Sequence, residues 1–260
     1  MQEEIQQRLS PIKVNYSYGP YNEIKGDQQW IRISEGCPWA DIHEYCYEPK
    51  EFKLFEIPEI VRNKVGVMDM NLLCKPEALQ IIKTLGEKRV DDKVVHYEML
   101  CGIDYRFLTP EMAQALHDSR FGAFNKKCEW YRSIRIAWDM QFDEQEQIYD
   151  AIKLLSEAGY SREEIMVFII CNWRIPYTTN LRKLDLCKIW GVKVADCYYD
   201  NQLGPKFIPL HWTLDEIYDF RRKSRKHNQM IRFKKDPQPS INQHVNGSIS
   251  DQKRRVLKDE

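Results

Sequence analysis

The sequence predicts an α/β fold: a partial (β/α)6 TIM-like barrel with parallel strands, followed by a polar, basic C-terminal tail. Three observations predict it. Six short β-prone runs alternate with helical patterns at the spacing of parallel βαβ units. Each run ends in polar or chemically capable residues: Glu35 to Cys37, Asp69 to Asn71, Cys101 to Asp104, Trp138-Asp139, Cys171-Asn172 and Tyr198 to Asp200. Chemistry collects at the carboxyl ends of strands in (β/α) barrels. The length, 260 residues, is ample for one large core.

The elements follow in order. Trp30 to Ser34 alternates as a strand and runs into Glu35-Gly36-Cys37. A short helix is expected over Ile57–Asn63, then a strand from Val65 to Met70. Lys75–Leu85 reads as a helix with Pro76 near its start and Gly86 at its end. Val94 to Met99 is the third strand, and Thr109-Pro110 is a capped helix start. Ser133 to Asp139 is the fourth strand. Asp143–Ala158 is an amphipathic helix with Ile148, Ile152 and Leu155 on one stripe and Gly159 as its stop. Glu164–Cys171 is a buried strand, Thr179–Trp190 a helix closed by Gly191, and Val192–Tyr198 the sixth strand. Thr213–Lys226 is the last helix, opened by a capping box of Thr213 and Glu216. Residues 1–28 read as a weakly ordered N-terminal arm, 29–235 as the barrel, and 236–260 as a flexible polar tail.

Lys plus Arg and Asp plus Glu are equal at 39 each, which argues against a uniformly basic coat or an acidic disordered chain. The neutrality is uneven. Residues 221–260 carry twelve basic and four acidic residues, a net of +8, and residues 1–220 carry a net of −8. The run Arg221 to Lys235 is therefore a candidate contact for nucleic acid or nucleotide phosphates, set against the simpler role of complementing a helix C-terminus. No apolar run approaches the roughly 18 residues of a membrane span. The polar, acidic start reads as no secretory signal, so the protein is expected to be cytoplasmic with its eight cysteines reduced. Six of them are expected to be core thiols.

Cys37 and Cys46 are set apart. In Gly36-Cys37-Pro38-Trp39-Ala40-Asp41-Ile42-His43-Glu44-Tyr45-Cys46-Tyr47-Glu48-Pro49, two thiols and an imidazole fall within ten residues, in a loop at a strand's carboxyl end. Such a set can bind metal. Zinc would need a fourth ligand, which Asp41 could supply; an iron–sulfur cluster could use three protein ligands and leave one iron open.

This segment resembles the radical S-adenosylmethionine superfamily, whose usual motif is Cys-x3-Cys-x-aromatic-Cys after the first barrel strand. Gly36-Cys37-Pro38 matches its start and Tyr45-Cys46-Tyr47-Glu48-Pro49 its end. The resemblance extends over about residues 28–220, through Met68 to Leu73, Gly102 to Thr109 and Ile136 to Asp139. It departs at the middle ligand, where His43 replaces cysteine and the spacing becomes Cys-x5-His-x2-Cys. Three outcomes stand open: His43 is the third ligand, Asp41 substitutes, or the cluster is lost and the barrel binds nucleic acid or protein.

The resemblance implies a [4Fe-4S] cluster on Cys37, His43 and Cys46, with S-adenosylmethionine chelated at the open iron. An external electron donor would reduce the cluster, and a 5′-deoxyadenosyl radical would abstract hydrogen from a small-molecule or nucleotide substrate. It places Tyr45 near the adenine and makes Asp69, Asn71, Asp104 and Arg106 candidates for holding the cofactor. The glycine-rich segment common after strand two is replaced by Met70-Asn71. Asp139 and Asn172, at the ends of strands four and five, are further candidates by the strand-end rule. Trp173, Tyr198 and Tyr199 read as core or loop aromatics, His96 and His211 as structural, and His117 as solvated.

Overall fold

The computed structural model describes residues 17–43, 45–139, 142–199 and 209–233. The expected tail 236–260, arm residues 1–16, Asp200 and the last two lysines of the basic run lie outside the described residues. In chain order the strands and helices are β1 (Tyr21–Lys25), β2 (Gln28–Arg32), β3 (Ser34–Glu35), β4 (Lys53–Leu54), β5 (Lys64–Val67), α1 (Ala78–Glu87), β6 (Arg89–Val90), β7 (Lys93–Val94) and β8 (His96–Met99). They continue with α2 (Pro110–Asp118), β9 (Phe121–Phe124), β10 (Trp130–Tyr131), β11 (Ile134–Ala137), α3 (Gln145–Glu157), β12 (Ile165–Cys171), α4 (Tyr177–Trp190), β13 (Lys193–Tyr198) and α5 (Leu214–Phe233).

The fold is mixed α/β with parallel strands. One sheet has the order β1-β2-β5-β8-β9-β10; a second has β11-β12-β13. Neighbours β2, β5, β8 and β9 run parallel, and β1 and β10 are antiparallel hairpin partners at the two edges. The second sheet is parallel throughout. Chain leaving β8 connects the two: Ile103 bridges Ile136 of β11 in parallel, with Ile103 N donating to Arg135 O at 2.7 Å and Ala137 N to Ile103 O at 3.0 Å. The buried ion pair of Glu98 on β8 with Arg135 on β11, at 2.5 Å, lies across the same junction.

Alternation along the strands buries Ile31, Val65, Val67, Tyr97, Ile136, Val167, Ile169 and Val194 against Ile82, Leu85, Leu116, Ile148, Ile152 and Leu184 of the helices. Local signals set the helix ends. The Thr109 hydroxyl accepts from Met112 N at 3.2 Å, and Thr213 exchanges hydrogen bonds with Glu216. Gly191 closes α4 at φ +70°, a conformation open to glycine without steric cost.

Four elements differ from expectation. Ile57–Asn63 forms neither helix nor strand. Pro58 disfavours helix for the residue before it, and the buried Gln29 amide satisfies the irregular backbone, donating to Glu59 O at 2.8 Å and accepting from Val61 N at 2.9 Å. Residues 21–25, inside the expected arm, form β1 and pair with β2. The β9–β10 hairpin was not expected; it follows a sharp turn in which Arg120 takes φ +60°. α5 continues to Phe233 and carries most of the basic run on a helix.

Candidate functional site

The loop after β3 is held by its ends. Pairing of β3 with β4 sets its base. Cys37 N donates to Pro49 O at 2.9 Å and Gly36 N to the Glu48 carboxylate at 2.8 Å. Gly36 sits at φ +97°, and an added Cβ would collide with the Glu51 carbonyl, so glycine is required there. Within the loop, Ile42 N and His43 N both donate to Trp39 O, forming one turn of helix. Cys37, His43 and Cys46 are all buried, and both thiols are free of disulfides. The His43 ring stacks on Tyr45, with centroids 5.2 Å apart. Asp41 is exposed and pairs with Lys50 at 3.0 Å, so its carboxylate is not part of the buried set.

Asp104 is the hub beside this loop. Its carboxylate accepts from Trp39 Nε1 at 2.7 Å, Asn71 Nδ2 at 2.9 Å, and Arg106 Nε and Nη2 at 2.7 and 3.2 Å. The Arg106 guanidinium also lies 4.0 Å over the Trp39 ring. Asn71 connects the hub to the thiols, its Nδ2 lying 3.5 Å from Cys37 Sγ. Asp69 faces the strand rather than the loop: it accepts from Ile33 N at 3.0 Å and Ser34 Oγ at 2.5 Å. Burial nevertheless pushes its carboxyl up to about 6.

Strands β11 and β12 supply the other wall. The Asp139 carboxyl is raised to about 6, first by burial, with the Lys183 cation and the Tyr45 hydroxyl opposing. Burial drives the Tyr45 phenol far above its ordinary range. Lys183 is fully buried on α4; its ammonium donates to Trp138 O at 3.1 Å and is lowered to about 8 by burial. Tyr45 meets Trp173 edge-on at 5.4 Å, and Trp173 in turn meets Tyr199 and His211. Asn172 lies in the left-handed region at φ +58° and braces backbone. Its amide accepts from Leu210 N at 2.8 Å and donates to Tyr199 O at 3.0 Å, pinning the chain that leads into α5.

Thus Cys37, Asn71, Asp104 and Arg106 form one connected group, Tyr45 and Asp139 a second, while Asp69 and Asn172 are engaged in backbone support. Sequence reasoning missed Trp39, Cys74, Lys75 and Lys183. Lys183 was visible as a lysine on the stripe of Asn180, Leu184 and Cys187. Of the six expected core thiols, Cys74, Cys171 and Cys187 are buried, whereas Cys101, Cys128 and Cys197 are partly exposed at less enclosed strand and turn positions. His117 is packed edge-on against Tyr160 at 5.2 Å rather than solvated. On α5, Arg222, Lys223, Arg225, Lys226 and Arg232 are exposed together with Tyr218 and Phe233; Ile217, Phe220, Ser224 and His227 face inward.

Two buried thiols and an imidazole suit iron in a sulfur-bridged cluster. Two buried polar atoms nearby, Glu48 Oε2 and Asn71 Oδ1, have no hydrogen-bond partner, a cost of about 1–3 kcal/mol each that a bound group could relieve. In donor chemistry and in these orphaned atoms the residues fit such a group. Among the described residues, no three His, Cys, Asp or Glu side chains already converge as a metal-holding set. No helix among them is long and apolar enough to cross a membrane. Compared with protein-family models and with curated proteins, the chain matches none.

Proposed function

We propose that this chain is a radical S-adenosylmethionine enzyme on a partial (β/α)6 barrel, acting in the cytoplasm on a small-molecule or nucleotide substrate with an external electron donor. The observation that carries the reading is the buried Cys37/Cys46 loop, which follows the parallel strand β2 and the short β3, with His43 between the two thiols. When bound, a [4Fe-4S] cluster supplies the electron that cleaves S-adenosylmethionine to the hydrogen-abstracting 5′-deoxyadenosyl radical.

The chain's own residues have separable roles. Cys37 and Cys46 hold metal, with His43 the third donor that the loop itself offers. The Asp104 carboxylate and the Arg106 guanidinium fix Trp39 and so the fold of the loop. Asn71 presents an unpaired carbonyl beside Cys37, suited to a cationic amino group. Tyr45 and Trp173 offer apolar edges to a flat ring and exclude water. Asp139, raised to about 6, can hold or release a proton near neutral pH. Strong reductant and S-adenosylmethionine added to anaerobically reconstituted protein should yield 5′-deoxyadenosine, and Cys37→Ala should abolish it. A reconstituted protein that forms none would refute the reading.

A second reading is favoured by α5. Five exposed cations share that helix with two exposed aromatic rings, Tyr218 and Phe233, the combination that tracks phosphates and stacks bases. On this reading the barrel is a cluster-free module binding nucleic acid. It predicts salt-sensitive oligonucleotide binding that survives Cys37→Ala; binding unaffected by Arg222→Ala, Arg225→Ala and Lys226→Ala together would exclude it.

A further inference from the structure

We propose that the cleft between the carboxyl end of β12 and the start of α5 seats one base of a single-stranded nucleic acid whose flanking phosphates run along α5. This rests on the nucleic-acid reading of α5 above and gives the bound strand a defined place beside Tyr45.

The cleft has a volume of about 520 Å³, and four rings line it: Trp173, Tyr177, His211 and Trp212. Small-molecule sites run to roughly 300–1,000 Å³. The surrounding chain fixes these rings. The Asn172 side-chain carbonyl accepts from Leu210 N at 2.8 Å and His211 N at 3.3 Å, which holds the segment carrying His211 and Trp212 against the end of β12. Trp212 Nε1 donates to Ile175 O at 2.8 Å, and the Trp212 ring meets Tyr177 and Phe220 edge-on at 5.5 and 5.6 Å. Trp173 meets both His211 and Tyr45 at 5.4 Å, so the cleft and the wall of the cysteine loop share one ring. Rings already held in place lose little freedom on stacking a base, and stacking accepts any base.

Charge around the cleft selects the ligand. Arg174 lines it, with its guanidinium 5.6 Å from the Trp173 ring centroid. The Tyr177 hydroxyl donates to Asp219 of α5, a carboxylate that also accepts from Arg222 at 2.6 Å and Lys223 at 2.5 Å. Lys223 Nζ lies 3.3 Å from the same hydroxyl, so both cations are held beside the cleft. Among the described residues lining it, the one carboxylate, Glu216, is taken up by Thr213 N and Oγ1 at 2.8 and 2.9 Å. From this end Tyr218, Arg222, Arg225, Arg232 and Phe233 recur along one exposed stripe of α5. At 1.5 Å per residue the stripe runs about 22 Å. A single nucleotide would leave most of it unused, whereas a strand carries phosphates along it. No ring of the cleft belongs to the metal donors of the loop, so binding is expected with or without a cluster.

The test uses the full chain and short fluorescent oligothymidylates, deoxy and ribo side by side, with abasic oligomers of the same length that keep the phosphates and lose the bases. The intact oligomer should bind at least about fivefold more tightly than the abasic one, the lower bound for one stacked base. Trp173→Ala should narrow that difference and leave the salt slope unchanged. In wild-type protein, an oligomer carrying 5-iodouracil should cross-link on irradiation within residues 173–177 or 211–212, a readout independent of how the variant folds. Either sugar supports the seat. Equal binding of intact and abasic oligomers, or cross-links confined to Tyr218 and Phe233, would overturn the seat and leave the α5 reading standing. Thymidine monophosphate that competes as well as the strand would overturn it in favour of a single nucleotide. Wild-type protein that shows no salt-dependent binding would overturn both the seat and the α5 reading.

Discussion

Removing the Asp104 carboxylate should loosen the cysteine loop, and the size of the effect can be worked from its contacts. Asp104→Ala strands the Trp39 indole N–H, the Asn71 amide and the Arg106 guanidinium at once. Hydrogen bonds to a charged partner are worth about 1.5–3 kcal/mol each but do not add. Breaking a buried ion pair costs about 3–5 kcal/mol. Asp104 is 7% exposed, but the Arg106 side chain is 23% exposed and partly screened, which places the loss near the lower bound, about 3 kcal/mol. For a chain of this size that lowers Tm by about 6–12 °C. Asp104→Asn keeps an acceptor for Trp39 and should lose about half as much. Urea unfolding followed by tryptophan fluorescence reads both variants. A loss below about 1 kcal/mol in Asp104→Ala would refute the view that this carboxylate organises the loop.

Gly36→Ala drives a Cβ into the Glu51 carbonyl at a φ of +97°; it should cost about 3 kcal/mol or more and raise the alkylation rate of Cys37, and an unchanged rate and Tm would contradict the loop geometry. Lys183 has a folded pKa of about 8, below its unfolded value, so the unfolded state binds more protons between about pH 8 and 10.5 and stability rises over that window. Lys183→Met should remove that rise and add about 1–2 kcal/mol at pH 7; parallel pH-stability curves for the two proteins would count against it. Asp139, raised to about 6, should titrate by carboxyl 13C resonance near 6 instead of near 4, with its share of stability complete below about pH 4 and lost as pH rises through 6. Simultaneous Arg222→Ala, Arg225→Ala and Lys226→Ala should reduce the salt slope of single-stranded oligonucleotide binding by about 2, at roughly 0.7 per phosphate contact; an unchanged slope removes α5 from the interface.

Local signals carried most of the fold because they are written in adjacent residues. Thr109-Pro110, the Thr213/Glu216 box, Gly159 and Gly191 each act within one turn, and the helix ends they mark lie where the pattern puts them. Ile57–Asn63 departs from helix for one local reason, Pro58, and one distant one, the Gln29 amide some thirty residues earlier, a contact that no local pattern encodes. The candidate site divides in the same way. Cys37, His43 and Cys46 were legible as a compact motif. Cys74 and Lys75 were not, because they come to the loop through packing against Gly36 rather than through spacing. Asp69 and Asn172 had the right residue type at the right strand ends, yet their polar atoms are taken up by neighbouring backbone. Asp41 had the ligand chemistry but faces solvent and Lys50.

The measurement that bears most directly on the central claim is the iron and acid-labile sulfide content of the anaerobically reconstituted full chain, taken with its absorbance. About four irons and four sulfides per chain are expected, with a broad sulfur-to-iron band that bleaches on reduction. Zinc without sulfide, or no bound metal at all, would contradict the claim.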